Sequence, residues 1–360
     1  MRIAQIAPLF ESCPPKTYGG TERVVSWLTE ELVRQGHEVT LFASGDSKTA
    51  ARLVPASKKA LWQDSTSLES TPLHVREMEL VLQRSDDFDI LHFHTDFIHF
   101  PLLRRLSVPA VTTLHGALND TDHAPLFAEY GDVELVAISA AQRRSMPRAR
   151  FAATIHHGMP PELHRFASAG GDYLAFIGRV SPQKGLDRAI RIALRAERPL
   201  KIAARIYSEE RAYYSEVIQP LLRQAGSLVE FIGEVGGEAK EAFLQQARAV
   251  LFPIDWCEPF GLVMIEALAS GTPVIAWNNG SVPEVIDHGK TGFIVSSIEE
   301  GAQAVDRVDH IERAACRAAF DERFDVTRMA RRYVELYRRL AERSSAPRII
   351  SLPRKRAAVR

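Results

Sequence analysis

Glu258 and Glu266 bracket a stretch whose residue types suit one kind of ligand. Glu258 opens a Glu-Pro-Phe-Gly segment (258–261) directly after the apolar run 250–253, and Glu266 lies in the helix-like Leu-Val-Met-Ile-Glu-Ala-Leu that follows. Gly261 lets backbone approach a ligand closely, and the amides beyond it open a helix, whose N-terminus favours phosphate. Carboxylates would repel that phosphate, so both glutamates are expected to accept hydrogen bonds from hydroxyls on either side of it, ribose on one side and a sugar on the other. The segment Phe-Ile-Gly-Arg-Val-Ser-Pro-Gln-Lys-Gly (176–185) adds Arg179 and Lys184 just beyond a strand. A planar guanidinium fork and a point charge together can neutralise a diphosphate without a metal. Taken singly, Glu266 reads as a solvated helix residue and Glu258 as a charge favoured by the helix dipole. The combination favours the ligand.

These residues need a scaffold, and apolar runs alternating with amphipathic stretches predict βα units feeding parallel sheets. Expected strands in the first half are Ile3–Ala7, Glu38–Ala43, Asp89–His94, Ala110–Leu114 and Leu135–Ser139. Thr21–Gln35 carries Val24, Val25, Leu28 and Leu32 at helical spacing, with Gly36 as its stop. Pro160–Asp172, rich in proline, glycine and small polar residues, reads as a linker. A second series follows: Tyr173–Ile177, Leu200–Ala204, Leu228–Ile232, Val250–Pro253 and Pro273–Ala276. The expected fold class is therefore α/β, with two doubly wound domains binding at the carboxyl ends of their strands across a shared cleft. Met329, Tyr333, Leu336, Tyr337 and Leu340 then form an apolar stripe on a helix that Asp325 could cap. After Glu342 the tail has six cationic residues and no acidic one, which predicts a solvated, disordered end.

Composition narrows the function classes. At 360 residues the chain exceeds what one core usually organises. Forty-five Lys plus Arg balance forty-five Asp plus Glu, so no global basic field favours nucleic acid. Cys13, Cys257 and Cys316 are odd in number and far apart, which argues against a disulfide framework and for a reducing, cytoplasmic setting. The N-terminus lacks a signal-peptide pattern, and no apolar run is long enough to span a membrane. No Gly-X-Gly-X-X-Gly follows the first strand, which removes the dinucleotide dehydrogenase fingerprint. Eight of twelve histidines fall between His92 and His164, with His92 and His94 sharing a strand face, yet acidic or cysteine ligands at metal-site spacing are missing. Asp87 and Asp89 precede their strand, the wrong end for a ligand, and Asp120 with Asp122 read as a solvated loop. No metal or cofactor is expected. Arg143, Arg144, Arg148 and Arg150 cluster without an acid between them, a basis for weak attraction to an anionic acceptor or membrane surface.

Five segments carry a family resemblance: Tyr-Gly-Gly-Thr-Glu (18–22), Thr-Leu-His-Gly (113–116), Arg179–Gly185, the Glu258 and Glu266 pair, and Gly-Ser-Val-Pro-Glu-Val (280–285). Across nearly its whole length the sequence resembles glycosyltransferase family 4, the retaining nucleotide-sugar enzymes of GT-B fold. The resemblance implies that Gly19 and Gly20 let backbone approach the donor, and that Arg179 and Lys184 hold its diphosphate. Glu266 would take the ribose hydroxyls, Glu258 the hydroxyls of the donor sugar, and His115 would touch that sugar near the reacting centre. Phe260, Gly261 and Leu262 would complete the donor site. Residues 1–168 would form the acceptor-binding domain and 169–324 the donor-binding domain, with helix 325–342 returning to the first and 343–360 a basic tail. The implied mechanism is front-face attack by an acceptor hydroxyl of a glycan, lipid-linked or small-molecule acceptor, with the leaving phosphate taking the proton and the cleft closing on the donor. UDP, GDP and ADP donors all fit the motifs, with base contacts expected from backbone near Gly233–Gly236. Ser281 stands where many relatives have glycine, and Cys257 directly precedes Glu258. A nucleotide-sugar epimerase or phosphorylase on the same plan, and a non-catalytic nucleotide-sugar sensor, are the alternative readings.

Overall fold

The computed structural model describes residues 1–16, 19–63, 69–118 and 120–345. Thirteen strands build two fully parallel sheets among these residues. The first contains β1 (Arg2–Ile6), β2 (Glu38–Ser44), β3 (Arg52–Ser57), β4 (Ile90–Phe93), β5 (Ala110–Thr113), β6 (Leu135–Ala137) and β7 (Phe151–Thr154), in the order β3-β2-β1-β4-β5-β6-β7. The second contains β8 (Tyr173–Arg179), β9 (Leu200–Arg205), β10 (Val229–Gly233), β11 (Ala247–Phe252), β12 (Val274–Trp277) and β13 (Gly292–Val295), in the order β10-β9-β8-β11-β12-β13. Strand order reverses between β1 and β4 in one sheet and between β8 and β11 in the other. Such reversals leave a crevice at the carboxyl ends of the strands, where ligands bind in doubly wound folds.

All ten expected strands are present, their ends displaced by at most three residues. The three that the pattern did not reveal, β3, β7 and β13, all lie at sheet edges. Edge strands are covered on fewer sides, so β3 and β7 carry partly exposed residues, and β3 tolerates Pro55, which the centre of a sheet would not. The first helix, Gly20–Arg34, buries Val24, Val25, Leu28 and Leu32 and ends as expected at Gly36, whose φ of +83° suits glycine. The bonds Gly36 N to Val33 O and His37 N to Leu32 O complete a Schellman turn there.

The chain passes between the sheets twice, and the two passages are bonded to each other. Met159 N donates to Phe324 O at 2.8 Å, and Val326 N donates to Met159 O at 3.1 Å. Beyond them, Arg165, Ala167 and Gly171 already bond to Glu241, Ser270 and Gln246 under the second sheet. The C-terminal helix, Val326–Ser345, starts where Asp325 accepts from Thr327 N at 2.6 Å, and it lays Met329, Tyr333, Leu336, Tyr337 and Leu340 into the core. Its tyrosines reach β1, β4 and β5 of the first sheet through Gln5, His92 and Thr113. The basic tail beyond residue 345 lies outside the described residues. In the arginine cluster, Arg150 pairs with Glu134 at 3.0 Å and Arg143 lies over the Phe151 ring, so folding supplies an acid that the local sequence lacks. Among the described residues no helix is long and apolar enough to cross a membrane.

Candidate functional site

The loops at the carboxyl ends of both sheets line one cleft of ≈690 Å³. Every residue that the resemblance placed in the catalytic or donor site lines it: Gly19, Gly20 and His115 from the first domain, and Arg179, Lys184, Glu258, Phe260, Gly261, Leu262 and Glu266 from the second. Gly233 to Gly236, expected to contact the base, are not among its lining residues. Gly19 has φ +144°, and a Cβ there would lie only 2.8 Å from Pro15 Cβ. A Cβ on Gly20 would lie 3.8 Å from Leu262 Cδ1, so the start of helix Gly20–Arg34 directly opposes the start of helix Leu262–Ala269. Tyr18, which begins the Tyr-Gly-Gly-Thr-Glu motif, lies outside the described residues.

His115 sits just beyond β5, held on both sides by Gln142. The Gln142 Nε2 donates to Leu114 O at 2.9 Å and to Gly116 O at 2.7 Å. The His115 ring stacks on His157 at 5.1 Å between centroids, and its Nε2 lies 2.8 Å from His94 Nδ1. Burial pushes His115 down to about 3, so the ring is neutral at physiological pH.

On the other wall each cation has an acidic partner. Arg179 donates through two nitrogens to Glu210 Oε1, at 2.6 and 2.9 Å, and lies over the Tyr207 ring. Lys184 Nζ is 2.5 Å from Glu258 Oε2, which also accepts from Trp256 Nε1 at 2.8 Å. Lys240, in the first turns of helix Gly237–Gln245, donates to Glu266 Oε1 at 2.6 Å. Burial alone would push the Glu266 carboxyl up, but Lys240 and His164 outweigh it and hold the group below its ordinary range. Glu266 Oε2 is buried and has no hydrogen-bond partner among the described residues. Gly261, at φ +78°, caps helix Leu262–Ala269 without a side-chain bond to its first amides. A Cβ on Gly261 would press on Met264 Cε and the Phe252 ring, so only glycine fits this turn.

The description of group 1 glycosyl transferases matches residues 165–322, and that of glycosyltransferase family 4 matches residues 18–165. The chain belongs to glycosyltransferase family 4. It is 22% identical over 379 residues to O-antigen chain mannosyltransferase C of Escherichia coli, covering 96% of this chain and 100% of the relative. Its structure resembles that of AviGT4, a glycosyltransferase involved in avilamycin A biosynthesis, with TM-score 0.75 and 28% identity over 95% of this chain and 98% of the other. It also resembles Anabaena HepE, crystallised with UDP and glucose, with TM-score 0.72 and 21% identity over 93% and 98% of the two chains. The architecture is GT-B, two Rossmann-like domains facing a cleft.

This glycosyltransferase contains cleft residues that sequence reading did not assign. Lys240 lines the cleft and Glu210 backs Arg179 from behind it; they come from separate βα units, and no spacing rule ties them to Glu266 or Arg179. Trp62 lines the first-domain wall 61% exposed, with its ring 5.5 Å from Phe10. Glu22 closes the Tyr-Gly-Gly-Thr-Glu motif. It lies at the cleft with its carboxyl pushed up to about 7, mainly by burial. Ser281 is buried and donates to Phe260 O at 2.7 Å, so its hydroxyl braces the Glu-Pro-Phe-Gly turn. Cys257 is exposed. Asp89 bonds Arg2 at the amino end of β4, away from the cleft, and the side chain of Asp120 lies outside the described residues. Among the described residues no group of three or more His, Cys, Asp and Glu side chains is arranged to hold a metal ion.

Proposed function

We propose that this glycosyltransferase moves a hexosyl group from a nucleoside-diphosphate sugar to an acceptor hydroxyl with retention at the anomeric carbon. The observation that carries this reading is the convergence on one cleft of Arg179, Lys184, the unoccupied Glu266 Oε2 and the helix start after Gly261, opposite Gly19, Gly20 and His115. Arg179, Lys184 and the helix N-terminus receive the diphosphate, and Glu266 Oε2 accepts from a ribose hydroxyl. Glu258 takes hydroxyls of the donor sugar. HepE, bound to UDP and glucose, has the same fold and lends support to a nucleotide-sugar donor.

In the reaction the bond from the anomeric carbon to the diphosphate oxygen breaks and one to the acceptor oxygen forms on the same face. The acceptor proton passes to the leaving diphosphate. Charge grows on that leaving group, so preorganised cations and amides are the main source of rate. We propose that these side chains suffice without a metal ion or other cofactor. The exposed Trp62, packed at a tilt against Phe10 on the first-domain wall, offers a flat apolar face suited to a sugar ring of a glycan acceptor.

The test is turnover of UDP-, GDP- and ADP-sugars with and without a panel of sugar acceptors, with NMR of the product's anomeric configuration. A retained configuration and unchanged rates in excess EDTA are expected. An inverted product, loss of activity in EDTA reversed by manganese, or sugar rearrangement without acceptor would each overturn the corresponding part.

A further inference from the structure

The buried histidines of the first domain form a continuous hydrogen-bonded chain running from the cleft to the C-terminal helix. His115 Nε2 meets His94 Nδ1 at 2.8 Å, and His94 Nε2 meets Gln5 Oε1 at 2.8 Å. Gln5 Nε2 donates to Tyr337 OH at 3.1 Å, and Tyr337 OH lies 2.6 Å from His92 Nδ1. His92 Nε2 continues to Thr113 Oγ1 at 2.7 Å, which lies 2.9 Å from Tyr333 OH. Burial drives His92 and His94 well below the ordinary imidazole range, so each ring is neutral and carries one N–H.

One N–H per ring makes the direction of the chain all-or-none. Gln5 presents its amide nitrogen to Tyr337 and its oxygen to His94, so His94 must donate through Nε2. Its Nδ1 then accepts, and His115 must donate through Nε2. The proton of His115 is thereby committed inward, and its Nδ1 is left as a lone pair. That atom is buried and has no hydrogen-bond partner among the described residues, in a ring that lines the cleft. Tyr337 accepts from Gln5 and has its own proton to donate to His92 Nδ1, which is consistent with the remainder of the chain. Turning the Gln5 amide over would reverse every bond and make His115 Nδ1 a donor.

We propose that Gln5, His94 and Tyr337 are positioning residues that hold His115 as the Nε2–H tautomer, an acceptor toward a hydroxyl of the donor sugar. The inference rests on the donor-sugar role given to His115 above. It makes the C-terminal helix part of the active site's protonation pattern as well as of its packing. Tyr337→Phe keeps the ring and removes the hydroxyl that accepts from the Gln5 amide nitrogen, so the amide no longer has a partner on that side.

The test combines two readouts. Nitrogen-15 NMR of histidine-labelled protein reports which ring nitrogen of His115 carries hydrogen. Bare Nδ1 is expected in the unsubstituted protein, and a shift toward protonated Nδ1 is expected in Tyr337→Phe. A protonated Nδ1 in the unsubstituted protein, or a tautomer unmoved by Tyr337→Phe, would overturn the proposal. Turnover of UDP-glucose or GDP-mannose, whichever the protein accepts, should fall roughly tenfold in kcat with little change in KM in Tyr337→Phe. On a His115→Ala background the same substitution should cost nothing further, because both act through one group. An undiminished loss on that background would mark Tyr337 as merely structural. Full turnover by His115→Ala alone would remove the role of His115 toward the donor, while the NMR readout would still decide the chain.

Discussion

Arg179 and Lys184 show what residue type and spacing can and cannot reveal. Their chemistry was legible because a fork and a point charge follow one strand beside a phosphate-binding helix start. Their partners were not, because Glu210 and Glu258 reach them from other βα units. The same holds at Glu266, whose Lys240 partner also arrives through the fold. These pairs have a consequence for mutagenesis. Glu258 is 7% exposed, so Lys184→Ala removes a charge from the diphosphate path and also leaves a buried carboxylate unpaired. Arg179→Ala and Lys184→Ala should each lower turnover of the accepted nucleotide sugar by roughly a hundredfold or more, the size expected on losing a preorganised donor to a developing charge. Lys184→Ala should also lower Tm, and circular dichroism separates that effect from the loss of rate. Near-normal turnover in both folded variants would refute the diphosphate assignment.

At the scale of elements, central strands were legible because burial on both faces writes continuous apolar runs, as in β4, whose four residues are all buried. Edge strands β3 and β7 were not, since partly exposed residues interrupt their runs, and the short edge strand β13 escaped although most of it is buried. A second element escaped for a different reason. The loop 280–285 was recognised as a motif of the donor domain, yet its Glu284 reaches across to the first domain. It accepts from Ala140 N and Ala141 N, each at 2.7 Å, and from His156 Nε2 at 3.0 Å. The adjoining Gln142 holds the backbone on both sides of His115, so this clamp ties the donor-side loop to the position of the histidine. Burial pushes the Glu284 carboxyl up, but the His156 and backbone bonds prevail and leave it below its ordinary range. A carboxyl depressed in the folded state stabilises fully above its unfolded pKa and loses that contribution as pH falls through the folded value. Glu284→Ala should therefore cost about 1–3 kcal/mol near neutral pH, the usual toll for stranding buried donors. The deficit should shrink as the pH is taken down to about 3. Thermal melts of both proteins across that range check it, and equal Tm values near pH 7 would show the clamp to be dispensable.

For the whole molecule, the decisive feature is that one cleft is shared by two domains joined at a single place. Both passages of the chain, at Met159 and at Asp325, lie side by side and are bonded to each other. Gly158 makes that closeness possible, since a Cβ there would stand 2.7 Å from Asp325 O. Two adjacent crossings permit rotation about one axis and resist sliding, the geometry of a hinge. The domains also meet at the Glu284 clamp, beside the crossings, and where Gly20 approaches Leu262. A nucleoside diphosphate held between Arg179, Lys184 and the glycines at 19–20 would bridge the same gap, so ligand and clamp act on the same rotation. Closure would expel water and strengthen the charged contacts within. Small-angle scattering should therefore show a smaller radius of gyration with saturating UDP, GDP or ADP, whichever binds. The decrease should be larger in Glu284→Ala, which starts from a more open distribution because it lacks the clamp. An identical radius with and without nucleotide in both proteins, despite demonstrated binding, would refute hinge closure and leave a preformed cleft whose shape the ligand does not alter.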